Sequence, residues 1–165
     1  MWDALWQELS SGLHDSKQLT RVLIRLLAAT LLGGIVGIQR EHTGKPAGLR
    51  THILVSLATA AFVISCSNVG MSLDGLSRVI QGIVTGIGFI GAGSILKLGE
   101  QHEIKGLTTA ASVWMTAAIG VTVGLGSLGI GLMITALALM ILALQSLERR
   151  IEDRERSNKH GDQVM

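Results

Sequence analysis

The chain has 165 residues, 48% of them hydrophobic and only 16% charged, with 21 glycines, one proline, no tyrosine and a formal net charge of +2. A soluble domain carries roughly a quarter charged residues, so the deficit points to a membrane protein. The small net charge argues against a nucleic-acid binder, and a lone Cys66 excludes an intrachain disulfide.

Residues 1–18 lack the basic start and continuous apolar run of a signal peptide. Trp2, Leu5, Trp6, Leu9 and Leu13 recur at helical spacing opposite Asp3, Gln7 and Glu8, which predicts an amphipathic helix lying at the membrane interface. Five apolar segments follow within residues 19–147, at Leu19 to Ile38, Thr51 to Val69, Val79 to Leu98, Leu107 to Leu125 and Leu128 to Leu147. Each is near the roughly 20 residues that a span needs. The fold class expected is therefore all-α, a polytopic membrane protein of about five transmembrane helices. Only Gly126 and Ser127 separate the last two, which predicts a tight antiparallel hairpin. Residues 148–165 read as a short charged tail continuing the last helix, with Glu152 four residues before Arg156.

Ten of the Lys and Arg residues fall on the side of the first polar loop, the second polar loop and the tail, against four on the other. The positive-inside bias then places the N-terminus outside and the C-terminus in the cytoplasm. A faint internal repeat pairs Gly48-Leu49-Arg50-Thr51 with Gly106-Leu107-Thr108-Thr109, each opening a helix after a polar loop.

In the first span, Arg25 lies about one turn from the start, where it must snorkel to the surface or find a buried partner; snorkelling is the simpler expectation. The first loop carries Arg40, Glu41, His42, Lys45 and Arg50. Pro46 and Gly48 shape its turn, Thr51 is the expected N-cap of the second helix, and Arg40 and Arg50 are expected to bracket the loop at the cytoplasmic surface. Glu41 and His52, with Glu100 and His102 from the second loop, are the weak candidates for a cation such as magnesium, although their spacing matches no metal motif.

The third span is rich in glycine. On a helix Gln81, Gly82, Thr85, Gly86, Gly88, Ala92 and Gly93 share one side, and Ile80, Ile83, Val84, Ile87, Ile90 and Ile95 the other. The small side is expected to pack against protein and the isoleucine side to face lipid. Arg78 opens this helix with Asp74 as its expected partner, and Trp114 in the fourth span is expected to pack on a glycine face. No span carries a deep Asp or Glu, so polar candidates inside the membrane reduce to Gln81, Thr85, Ser94, Thr108, Thr109, Ser112 and Thr116. No catalytic constellation emerges, and the run Gly86-Ile87-Gly88-Phe89-Ile90-Gly91 lacks the strand that a dinucleotide fingerprint requires.

Three ordered motifs carry a resemblance. Pro46-Ala47-Gly48-Leu49-Arg50-Thr51-His52, then Gly86-Ile87-Gly88-Phe89-Ile90-Gly91-Ala92-Gly93, then Lys105-Gly106-Leu107-Thr108-Thr109-Ala110-Ala111 followed by Trp114, resemble the MgtC/SapB family of bacterial inner-membrane proteins. The resemblance implies a bundle of about five membrane helices in the cytoplasmic membrane and a part in magnesium homeostasis, as a transporter or a transport-associated protein. The alternative is a non-transporting regulator that docks onto another membrane complex, such as the proton-translocating ATP synthase or a transporter; the partners expected are membrane lipid and either a second copy of the chain or another membrane protein. The motifs together with the reading of the residues single out Arg40, Glu41, Gly48, Arg50, Thr51, His52, Arg78, Thr85, Gly86, Gly88, Gly91, Gly93, Gly106, Thr108, Thr109 and Trp114 as the candidate functional residues. Long members carry a soluble domain after the last helix, to which nothing here corresponds by Met165, and Gln39 stands where the family often has an acid.

Overall fold

The computed structural model describes residues 1–3, 5, 16–98 and 103–161, and for 96–98, 103–104 and 145–161 it describes the backbone. The interfacial helix expected over residues 1–18 falls largely outside the described residues. Five helices follow: α1 (Ser16–His42), α2 (Leu49–Asn68), α3 (Leu73–Gly93), α4 (Leu107–Gly124) and α5 (Leu128–Gly161). The first four are long and apolar enough to cross a membrane, and the apolar part of α5, Leu128–Leu144, is shorter. The backbone of α5 runs on as helix through the charged segment to Gly161.

The third span ends earlier than its hydrophobicity suggests. α3 stops at Gly93, and Leu96–Leu98 pairs antiparallel with Glu103–Lys105, Leu96 opposite Lys105. Leu-Lys-Leu and Glu-Ile-Lys alternate with the period of a strand, a signal that an apolar window merges with the helix before it. This small hairpin, β1 and β2, is the one departure from an all-helical chain among the described residues.

Backbone contact between helices fixes the bundle. A Cβ at Gly33 would lie 2.7 Å from the His52 carbonyl oxygen and the Ser56 Cβ, and one at Gly37 2.6 Å from the Leu49 Cα. From the other side, a Cβ at Gly120 would collide with the Ser56 carbonyl and the Thr59 hydroxyl, and one at Gly124 would lie 2.9 Å from the Ala60 carbonyl. α2 is thus clamped between α1 and α4 at distances only glycine permits. Ala29, Leu32, Val36, Ala60, Ile64, Ile119, Val123 and Leu142 close the apolar core around this contact.

The glycines of α3 do something else. Gly82, Gly86, Gly88 and Gly93 face open space, where a side chain would meet no atom within 4 Å, and of the α3 glycines Gly91 is the one that approaches another helix, where a Cβ would lie 3.6 Å from that of Ala110. Ile87 is buried instead, packed with Ala47, Val113 and Ala117. This corrects the expected orientation: part of the isoleucine side turns inward and most of the glycine side outward. Trp114 is 45% exposed and shares a small cavity with Ile80, Ile83, Val84 and Ile87, so it packs beside branched aliphatics rather than on a glycine face.

The ends are trimmed by local chemistry. Ser72 caps α3 by accepting the Gly75 N–H at 3.2 Å, and Arg78 meets Asp74 at 2.9 Å, the pairing expected from the sequence. Gly126, at φ 90°, makes the turn into α5 in a conformation that favours glycine, and its Cα faces the Arg25 guanidinium. Arg25 is half-buried and reaches the end of α4. Its Nη1 donates to the Gly124 carbonyl at 3.0 Å, satisfying one of the acceptors that the end of α4 leaves open.

Candidate functional site

At the opposite end of the bundle, polar side chains from α1, α2 and α4 meet out of solvent. His52, Ser56 and Thr59 lie four and three residues apart along α2, and Thr109, Ser112 and Thr116 three and four apart along α4, so each set occupies one helix face. All six are buried. Thr59 and Thr116 turn their hydroxyls back onto their own helices, donating to the Val55 and Ser112 carbonyls at 2.9 Å each. These two are satisfied locally; Thr109, His52 and Ser112 take part in bonds between helices.

Arg40 enters this junction from the last turn of α1. It is 1% exposed, its Nη2 donates to the Thr109 hydroxyl at 2.9 Å, and its Nε is buried with no acceptor among the described residues. The expectation that Arg40 marks the loop surface is therefore overturned: one helical turn back from the loop, its side chain runs under α4 instead of toward headgroups. Arg50 is exposed and remains where the sequence places it.

His52 is fully buried, with Nδ1 2.8 Å from the Gly48 carbonyl oxygen and Nε2 3.3 Å from the Ser112 hydroxyl. The Gly48 carbonyl can only accept, so it fixes a proton on Nδ1. Ser112 has one proton and two places for it, His52 Nε2 or the Thr109 carbonyl at 2.9 Å. Beside this network the Ser56 hydroxyl is buried without a partner, and so is Oε1 of Gln39, whose Nε2 donates to the Leu142 carbonyl at 3.3 Å.

The loop above is built differently from the expectation. α2 is capped at Gly48 with no bond from that residue's side, and Thr51 falls inside the first turn, so it is not the N-cap. Glu41 takes the role, its Oε2 accepting the Leu49 N–H at 3.0 Å across the turn. A carboxylate at a helix N-terminus is favoured by the partial positive charge there. Glu41 consequently faces the loop while His52 faces the core, and the two do not converge on a common cation. Glu41 and His42 instead edge a shallow depression of about 410 Å³ with Ile38 and Leu49. Among the described residues no group of three or more His, Cys, Asp or Glu side chains gathers as a metal site, and Glu100 and His102 lie outside the described residues.

α4 opens at Gly106, φ 98°, a left-handed residue pressed against the Ser94 carbonyl where a side chain has no room. Thr108 borders a cavity of about 120 Å³ with Val36, Ser112 and Leu142, next to the junction. Arg78, Thr85, Gly86, Gly88 and Gly93 lie away from the junction: Arg78 pairs with Asp74, Thr85 donates to the Gln81 carbonyl on the outer face of α3, and the glycines are open. Ser56 and Thr59 were not singled out by sequence reasoning, although the spacing His52, Ser56, Thr59 repeats the helical period and mirrors Thr109, Ser112, Thr116.

A bundle whose long apolar helices enclose a polar junction at one end defines a polytopic helical membrane protein. The MgtC family model matches residues 26–150, and the chain belongs to that family. It is 44% identical over 128 residues to the protein named "Putative magnesium transporter YhiD" of Escherichia coli K12, covering 73% of this chain and 58% of that one. It is 39% identical over 130 residues to protein SrpB of Synechococcus elongatus, covering 72% and 71%, and 44% identical over 104 residues to protein MgtC of Salmonella typhimurium, covering 63% and 43%. The chain thus spans less than half the length of the last and less than two thirds of YhiD. No solved structure matches it.

Proposed function

We propose that the protein serves magnesium homeostasis from the bacterial cytoplasmic membrane, with its N-terminus outside and its C-terminus in the cytoplasm, as a transport-associated regulator rather than as the conduit itself. The observation that carries this reading is Arg40. A divalent cation crossing the bundle needs oxygen ligands and negative charge, and among the described residues the charged side chain in the buried polar set is a guanidinium. A fixed positive charge repels the ion that a conduit would have to stabilise.

A regulator needs a surface for its partner. Gly82 and Gly86, four apart on α3, border an open groove of about 580 Å³ whose other wall includes Leu54, Ala58 and Phe62 of α2. Small residues at this spacing let a neighbouring membrane helix approach closely. The occupant we favour is a transmembrane helix of the complex being regulated. Gly86→Leu is expected to abolish co-purification of that complex while leaving the bundle folded; undiminished association would remove the groove from the interface.

The second reading, transport, is favoured by the similarity to the protein named a putative magnesium transporter. Purified protein in liposomes with an internal magnesium indicator separates the two. The regulator reading expects entry no faster than in empty liposomes, together with loss of growth at low magnesium when the protein is deleted. Magnesium entry dependent on folded protein would establish the second reading instead.

A further inference from the structure

We propose that His52 is the trigger of an acid-sensitive latch between α2 and α4: a proton taken up at its Nε2 sets a second positive charge beside Arg40 in the buried junction and drives the two helices apart. His52 is fully buried and held from three sides. Its Nδ1 donates to the Gly48 carbonyl at 2.8 Å, its Nε2 stands 3.3 Å from the Ser112 hydroxyl of α4, and from α1 a Cβ at Gly37 would lie 3.2 Å from its own Cβ. With a proton on Nδ1, the neutral ring presents Nε2 to Ser112 as an acceptor.

The hydrogen bonds accommodate a second proton. A charged ring donates from Nε2 to Ser112, and Ser112 turns its own hydrogen to the Thr109 carbonyl, 2.9 Å away. No bond is lost, so charge decides the outcome. Arg40, one helical turn beyond Gly37, donates through Nη2 to the Thr109 hydroxyl at 2.9 Å, and a guanidinium stays protonated in proteins. Imidazolium and guanidinium then stand in one buried set, linked through Ser112 and Thr109.

No acid among the described side chains faces the pair. α1 brings Arg40, α4 brings Thr109, Ser112 and Thr116, which do not titrate, and α3 reaches the core with Ile87. Glu41 is turned to the loop, on the Leu49 N–H at 3.0 Å, and Arg50 is exposed. The ion pair of Arg78 with Asp74 stands at the far end of α3. Like charges repel strongly in a low-dielectric interior, and an ion without a counter-ion is relieved by reaching water. In a chain where α2 has moved off α4 the same histidine takes its proton unopposed, so acid favours the separated state and stability falls as the pH falls. His52 lies one turn into α2, below the loop of residues 43–48, so a local opening lets water reach it.

The inference goes beyond the magnesium reading, and its test contains no magnesium. The equilibrium constant for unfolding in detergent micelles is followed from pH 8 to pH 5. A rise approaching about tenfold per pH unit is expected below about pH 6.5, the ordinary histidine range, as uptake of a single proton dictates. His52→Asn, whose amide keeps a donor for the Gly48 carbonyl, is expected to flatten that rise, and Arg40→Gln, which removes the charge that His52 faces, to lessen it; His42→Asn leaves it unchanged. If His52→Asn does not fold, the protein carrying His14→Asn, His42→Asn, His102→Asn and His160→Asn together, with His52 as its one histidine, must keep the full rise. No rise in the parent protein, a rise in His52→Asn or Arg40→Gln equal to the parent's, or loss of the rise when the other four histidines are replaced overturns the proposal.

Discussion

The Arg25 guanidinium donates to the Gly124 carbonyl at 3.0 Å, tying the first turns of α1 to the end of α4. It rests against Gly126, which turns the chain into α5, so one side chain braces both the end of a helix and the hairpin that follows. Arg25→Met keeps most of the packing volume and removes the donors. It is expected to cost about 1–2 kcal/mol, the range for a partly exposed bond to a charged group, read as a lowered denaturation midpoint in detergent. A midpoint equal to that of the parent protein would show the bond to be idle.

The glycines divide into those that hold the bundle and those that do not. Gly120→Ala puts a methyl group into the Ser56 carbonyl and the Thr59 hydroxyl, and with backbone on the far side little can yield. A loss at the upper end of the roughly 1–3 kcal/mol typical of overpacking is expected. Gly86→Ala meets open space and should change stability by less than about 0.5 kcal/mol. Equal effects of the two in the same unfolding assay would refute the division.

Arg40 and Arg50 sit in one loop region and belong to different environments, the first buried and the second exposed. Arg40→Ala should reduce both the amount of folded protein and growth at low magnesium, whereas Arg50→Ala should leave folding unchanged. Measuring membrane-inserted protein by fluorescence-detected gel filtration alongside growth decides it. The ranking fails if Arg50→Ala lowers the folded yield as much.

Ser72 accepts the Gly75 N–H at 3.2 Å and starts α3. Its replacement by alanine is expected to cost about 1 kcal/mol. Since the cap belongs to α3, whose contacts with the other helices are the sparser ones, the loss should show as faster amide exchange in residues 73–80 more than as a lower global midpoint. Uniform change across all helices would count against a local effect.

Much of the architecture is legible in the sequence because membrane spans are written in length and hydrophobicity. Four of the five helices begin within three residues of their apolar segments, α3 begins six residues before Val79, and the Asp74 to Arg78 pair follows from spacing alone. The face of α3 was not legible for a physical reason: glycine is compatible both with close packing and with an empty groove, and only the neighbours decide which. Gly33 and Gly120 are packed, Gly82 and Gly86 are open, and nothing local distinguishes them. The position of Arg40 was hidden similarly. The positive-inside rule describes where basic residues gather on average, while a long side chain at a helix end can reach inward as easily as outward, and its acceptor Thr109 is 69 residues away. The polar set itself carries a readable signal, the repeated helical spacing of Ser and Thr on α2 and α4.

α1, α2 and α4 touch through their backbones at Gly33, Gly37, Gly120 and Gly124, whereas α3 meets α4 by side chains around Ile87 and Gly91 and by backbone only at its end, where the Ser94 carbonyl meets Gly106. α3 has 21 residues, about 31 Å at 1.5 Å per residue, close to the hydrocarbon thickness of a bilayer. When membrane thickness changes, a helix answers by tilting. Held more loosely than α1, α2 or α4, α3 is expected to answer such a change by tilting, which would widen or narrow the gap between α2 and α3 before anything around Arg40 is disturbed.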